Sequence, residues 1–319
     1  QLDLRADHAG KAGLRVTWTA PDGSQGSTTL ETSLTAGDNH VELPLRIEHP
    51  QRWWPVGYGE PNLYRFHAEV VVAGKVIASA ERDTGLRSVE LRRQRDRWGR
   101  SFAFVINGVP VFAKGANLIP LDSFPERVTG SRLQQILQSA RDANMNMLRV
   151  WGGGYYQSDA FYALADRLGL MIWQDFMFGG AIPPYDEAFR ENARIEATEQ
   201  VIRLRDHPSI VLWCGNNEVQ TGWESWPDRK QFAEAIGPVE RARVEQGMRT
   251  LFGETLRDVV QRHAPDVPYW ASSPSTDFDG PANVPNDGDM HVWDVWAGSA
   301  PIEDYLKTTP RFQSEYGLQ

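Results

Sequence analysis

The sequence predicts a multidomain β and α/β protein. An immunoglobulin-like β-sandwich is expected over residues 1–91, followed over 92–319 by a (β/α)8 TIM barrel that lacks its last strand. Three observations carry this expectation. Up to about residue 91, short apolar runs are separated by turn residues with no helix-period segment between them. From about residue 98, apolar strands alternate with amphipathic helices, the pattern of a parallel sheet with helices outside it. The strand-like runs of this second part end on charged, amide and aromatic residues, where barrel enzymes place their chemistry.

In the first part, strands are expected at Leu14–Trp18, Ser27–Leu34, His40–Ile47, Leu63–Val72 and Lys75–Ala80. Pro21-Asp22-Gly23, Ala36-Gly37-Asp38 and Ala73-Gly74 punctuate them as turns. The basic run Arg92–Arg97 reads as a solvated connector. Phe102–Ile106 and Val109–Phe112 flank Asn107-Gly108, a hairpin signal, and lead into a strand at Ala113–Asn117. The first helix is expected at Thr129–Asn144, with Leu133, Ile136, Leu137 and Ala140 on one face and Ser131 as its cap.

Beyond it, strands are expected at Met145–Trp151, Leu170–Phe176, Ile210–Cys214, Tyr269–Ser272, His291–Val295 and Phe312–Glu315. Helices are expected at Asp159–Leu168, Glu187–Arg205, Val239–His263 and Ile302–Leu306. Counted from Ala113, this gives seven barrel strands, one short of a closed ring. A doubly wound nucleotide-binding sheet is disfavoured because no GxGxxG or P-loop string follows the first strand. Gly152-Gly153-Gly154 lacks the Lys-Ser/Thr that a phosphate loop would need.

Composition narrows the partners. A net charge of −9 argues against nucleic acid, and no apolar run approaches the ~20 residues that cross a bilayer. Cys214 is the single cysteine, so no internal disulfide forms, and a reduced cytoplasm and a periplasm would both suit the chain. The start, QLDLRADHAG, reads as that of a processed or excised piece. Twelve tryptophans are present, and several fall at expected strand ends, where an indole can stack on the C–H face of a sugar.

Those strand ends carry Lys114, Asn117, Arg149, Trp151, Asp175, Asn217, Glu218, Ser272, Ser273, Trp293, Asp294 and Glu315. Glu218 closes the fourth strand and Glu315 the seventh, so a ring would bring them face to face across its mouth. Two carboxylates ~5–5.5 Å apart are what retaining glycoside hydrolysis requires. The proton donor needs apolar surroundings, which Val211–Cys214 supplies before Glu218. The nucleophile needs a cation to stay ionised, and Arg149 is the natural partner. His207, His263 and His291 stand in no ligand spacing, so neither a metal nor a cofactor is expected. His291 is expected to orient a polar group near the sixth strand instead.

RWWPVGYGEPNLY (52–64), TGLRSVEL (84–91), KGANLIPLDSF (114–124), LRVWGGGYY (148–156), IWQDFMF (172–178), WCGNNE (213–218) and SEYGLQ (314–319) together resemble glycoside hydrolase family 2. WCGNNE with RVWGGG points within it to the β-mannosidase branch. The resemblance implies Glu218 as acid/base, Glu315 as nucleophile, Asn217 on the substrate 2-hydroxyl, and Trp151, Asp175 and Trp293 lining the sugar site. It implies exo-acting removal of terminal β-mannosyl units from β-mannosides and manno-oligosaccharides. It also implies a sugar-binding-like domain before this chain, and an eighth strand and further domains after it. The chain is therefore expected to be a fragment whose partners are the missing N- and C-terminal domains of the same enzyme. Two alternatives stay open: another family-2 activity, glucuronidase or exo-glucosaminidase, and a non-catalytic carbohydrate-binding fragment.

Overall fold

The computed structural model describes residues 2–317. Leu318 and Gln319, the end of the SEYGLQ string, lie outside the described residues, as does Gln1. The chain divides into two compact units, residues 1–53 with 60–86, and residues 54–59 with 87–319.

The first unit is all β: β1 (Leu2–Ala6), β2 (Gly10–Thr19), β3 (Gln25–Leu34), β4 (Gly37–Val41), β5 (Tyr64–Val72) and β6 (Lys75–Thr84). They pair antiparallel as a four-stranded sheet, β3-β2-β5-β6, and a two-stranded one, β1-β4. Alternation puts Ala12, Leu14 and Val70 inside, where Leu2, Leu4 and Val41 from the smaller sheet pack on them. The strand expected at His40–Ile47 ends at Val41, and β1 was not foreseen.

The second unit is mixed. Its opening holds β7 (Val89–Arg92), the short pair β8 (Arg95–Asp96) and β9 (Gly99–Arg100), and the hairpin β10 (Ala103–Ile106) with β11 (Val109–Val111). The Arg92–Arg97 run is more than a connector. The Arg93 guanidinium lies 4.6 Å from the centre of the Trp270 ring and donates to Asp287 at 2.7 Å.

The expected seven parallel strands follow: β12 (Gly115–Leu118), β13 (Met147–Val150), β14 (Met171–Asp175), β15 (Ile210–Cys214), β16 (Tyr269–Trp270), β17 (Met290–Val292) and β18 (Gln313–Tyr316). Between them lie α1 (Gly130–Asp142), α2 (Asp159–Leu168), α3 (Glu187–Leu204), α4 (Val219–Ser225), α5 (Pro227–Ala235), α6 (Gly237–Met248) and α7 (Leu256–His263). The cap of α1 is Thr129, whose hydroxyl accepts from Arg132 N, and not Ser131. The long helix expected at 239–263 is broken by a π-helical stretch, Arg249–Thr255.

Strands β12 to β16 form one parallel sheet in chain order, and β17 and β18 form a separate parallel pair. No ladder joins β16 to β17 or β18 to β12 among the described residues, so the hydrogen bonding does not give a closed barrel. Side chains span both gaps. Ser273 hydrogen-bonds Asp289 across the first, and Asn117 Nδ2 donates to Ser314 O across the second. Below the strand ends, Phe102 packs 5.9 Å from Trp173, 4.9 Å from Trp270 and 5.1 Å from Phe312 between ring centres. This aromatic floor ties the pair to the sheet.

Candidate active site

The polar strand ends converge on one guanidinium. Arg149, on β13, is only 4% exposed. Its Nε and Nη2 donate to the two oxygens of Asp175 at 3.2 and 2.8 Å. Nη2 also reaches Asn217 Oδ1 at 2.9 Å, and Nη1 reaches Glu315 Oε1 at 2.7 Å and Asn117 Oδ1 at 3.2 Å. Burial alone would favour loss of its proton, but the charges of Asp175 and Glu315 outweigh that and hold it firmly cationic.

Asp175 is fully buried beneath this cation and also accepts from Trp173 Nε1 and Gly152 N, at 2.8 and 2.9 Å. The resemblance had implied a place lining the sugar site; here both its oxygens are taken up by protein donors. Its physical role is to balance Arg149.

WCGNNE makes the turn from β15 into α4. Gly215 is required there, because a Cβ would stand 2.3 Å from the Ala271 carbonyl oxygen. Asn216 is structural: its side chain accepts from Val219 N and Ser272 Oγ and donates to Ala271 O. Glu218 takes a left-handed φ of 58°, sparse for a residue with a side chain, and its N–H is tied to Ser273 O at 2.8 Å. Asn217 and Glu218 are thereby fixed next to each other at the mouth.

Glu315, on β18, accepts from Arg149 through Oε1 and from Trp293 Nε1 through Oε2 at 3.2 Å. His291 Nδ1 lies 2.9 Å from Glu218 Oε1 and 3.3 Å from Glu315 Oε2. An oxygen of each glutamate and a nitrogen of His291 thus lie within 4.8 Å of one another. The three could enclose a metal ion, but Arg149 already neutralises Glu315 and would repel a cation there. Burial raises the pKa of Glu218, with the Arg149 charge and the Asn217 amide opposing it in part. Burial pushes His291 down to about 4, so the imidazole is neutral near pH 7.

A cavity of about 1130 Å³ opens here, with Asn117, Arg149, Trp151, Asn217, Glu218, Trp293 and Glu315 on its wall and Phe102, Phe104 and Phe312 deeper in. The Trp151 ring lies over Gly153, where a Cβ would come within 2.0 Å of it. The glycine triplet is a bed for an indole. Of the expected residues, Arg149, Asn217, Glu218, Trp293 and Glu315 meet in one hydrogen-bonded set, Trp151 flanks it, and Asp175 lies beneath. Sequence reasoning missed Asp289, which is fully buried and accepts from Trp270 Nε1, Ser275 N, Ser273 Oγ and Ser314 Oγ. Its only signal is an acidic residue directly before an apolar strand, which is a common pattern.

The model of the glycosyl hydrolases family 2 matches residues 1–87. A beta-mannosidase of Rattus norvegicus is 36% identical over 97% of this chain and 37% of its own length. One of Bos taurus is 39% identical over 91% of this chain and 34% of its own length. The crystal structure of a beta-D-mannosidase from Dictyoglomus thermophilum superposes with a TM-score of 0.90 at 39% identity, over 99% of this chain and 37% of that one. The chain spans about a third of the length of the curated relatives it matches.

Proposed function

This chain belongs to the glycosyl hydrolases of family 2, and we propose that it supplies the catalytic centre of a retaining, exo-acting β-mannosidase. The observation that carries the mechanism is that an oxygen of Glu218 and an oxygen of Glu315 lie within 4.8 Å of each other. So close a pair suits double displacement, whose carboxyl groups stand ~5–5.5 Å apart, better than inversion, which needs ~6.5–9.5 Å to admit a water. Glu315, paired with the Arg149 guanidinium, attacks the anomeric carbon. Glu218 gives its proton to the departing oxygen and, as a carboxylate, takes one from the water that releases the sugar.

Asn217 has its Oδ1 occupied by Arg149, and of the two Nδ2 hydrogens one points to Glu218 Oε2, which leaves the other to donate to a substrate 2-hydroxyl. Trp151 and Trp293 flank the sugar, and no cofactor takes part. The relatives' names support β-mannosides and manno-oligosaccharides as substrates. The seven parallel strands fit a TIM barrel over 92–319, completed by an eighth strand, with an immunoglobulin-like domain within 1–91. The remaining length of the matched relatives would correspond to the N- and C-terminal domains of the same enzyme.

The test is turnover of 4-nitrophenyl β-D-mannoside, glucuronide and glucosaminide by the protein at its natural length. The mannoside should be cleaved fastest, with β-mannose as the first product by NMR. Preference for another sugar would replace the substrate assignment, and α-mannose would exclude retention.

A further inference from the structure

His291 is 4% exposed at the mouth and has no task in the chemistry above. Its Nε2 lies 3.1 Å from Ser273 Oγ. That hydroxyl has one proton, and Asp289 Oδ2 takes it at 2.6 Å. Asp289 can return none of this, since both its oxygens are engaged as acceptors, by Trp270 Nε1 and Ser275 N on one side and by Ser273 and Ser314 hydroxyls on the other. Ser273 Oγ must therefore accept from His291 Nε2–H. In a neutral ring the proton on Nε2 leaves Nδ1 a bare lone pair.

That lone pair faces two carboxyl groups. Glu315 Oε2, at 3.3 Å, already accepts from Trp293 Nε1, and its other oxygen accepts from Arg149. Glu218 Oε1 lies at 2.9 Å, a hydrogen-bond distance that between two acceptors needs a proton. We infer that the Asp289–Ser273–His291 relay fixes the ring as its Nε2–H tautomer, so that Nδ1 accepts the Glu218 carboxyl proton and His291 positions and retains the proton used in catalysis. This rests on Glu218 being the acid/base.

The proton goes from Glu218 to the leaving oxygen in the first step and returns from water in the second, while His291 keeps its own. Once Glu218 is ionised, the Nδ1 lone pair faces a carboxylate, which makes Glu218 a stronger base toward that water. The charged and titratable groups facing the ring are Glu218 at the head of α4, Glu315 on β18, Asp289 before β17 and Arg149 on β13. Burial of the ring supports its neutral state.

Asp289→Asn and Ser273→Ala test the relay in the natural-length protein. Either change frees the ring to place its proton on Nδ1, where it would donate to the Glu218 carboxylate and ease its ionisation. The alkaline limb of kcat/KM for phenyl β-mannoside should move down by about one pH unit. The loss should be smaller for 2,4-dinitrophenyl β-mannoside, whose departure needs no acid. If Asp289→Asn does not fold, Ser273→Ala carries the test. An unmoved limb in the folded variants would overturn the relay. Glu218→Ala separates the two readings. If it shows no leaving-group dependence, the acid/base assignment itself fails; if it does and the limb stays put, only the relay is lost.

Discussion

Arg149 Nη1 donates to Glu315 Oε1 at 2.7 Å from a strand, β13, that has no ladder with β18. The proposed nucleophile is therefore held from across the mouth, by a side chain that Asp175 orients from below.

A lysine at this position offers one point charge and cannot hold Asp175, Asn217 and Glu315 together. Arg149→Lys is expected to lower kcat/KM by about 10²-fold or more through misplacement of reacting groups. Arg149→Met strands two buried carboxylates and should destabilise the fold by about 3–5 kcal/mol in urea denaturation. Wild-type stability in the Met variant would show that the pairs contribute little.

Glu315→Ala should abolish turnover of every aryl mannoside. Glu218→Ala should lose about 10²–10⁴-fold on phenyl β-mannoside and far less on 2,4-dinitrophenyl β-mannoside. Azide should rescue the Glu218 variant and give β-mannosyl azide. Formation of α-mannosyl azide by the Glu315 variant is compatible with this, whereas α-azide from Glu218→Ala would mean that the roles are exchanged.

The depressed pKa of His291, about 4 in the fold against an ordinary ~6.5, makes a stability prediction. Because the folded value is the lower one, its contribution is present in full above ~6.5 and is lost as pH falls through about 4. The loss should amount to about 3 kcal/mol. Urea midpoints at pH 7 and pH 4 should differ more for the wild type than for His291→Asn; equal differences would count against it.

Glu218 shifts the other way. Its raised pKa means the acid form survives above the usual glutamate range, and activity should fall only as pH rises through that higher value. Replacement of Glu218 by Gln should remove this alkaline limb, and a limb that persists belongs to another group.

Arg87 is a separate, structural case. Its buried guanidinium donates to the carbonyls of Pro208 and Ile210, at 3.2 and 2.8 Å, and to Asp266 at 2.9 Å. Arg87→Ala leaves both carbonyls unsatisfied, at about 1–3 kcal/mol each. A lower melting temperature with unchanged KM is expected, and a raised KM would tie Arg87 to the site.

Strands β13 to β16 were legible because each is buried along its whole length and so reads as a largely apolar run, as Ile210–Cys214 does. Glu218 was legible because it follows such a run, and Glu315 because it sits in a short strand at the matching place in the strand order. Helices α4 and α5 were not, since residues 219–235 carry Pro227 and no sustained apolar period. The pairing of Asp175 was not legible for a different reason: a carboxylate at a strand end can face the mouth or sit under an arginine, and only packing decides. The relay through Ser273 and Asp289 joins segments whose strands share no ladder, so no local pattern announces it.

The two ladder-free edges have a consequence for handling the protein. Strands β12 and β18 face a cavity, and the neighbouring Phe112 and Ile119 are 77% and 61% exposed. Strand edges that lack a ladder partner and are flanked by apolar side chains pair readily with other copies of themselves. A preparation limited to these 319 residues should self-associate as its concentration rises, and light scattering on a dilution series would register it.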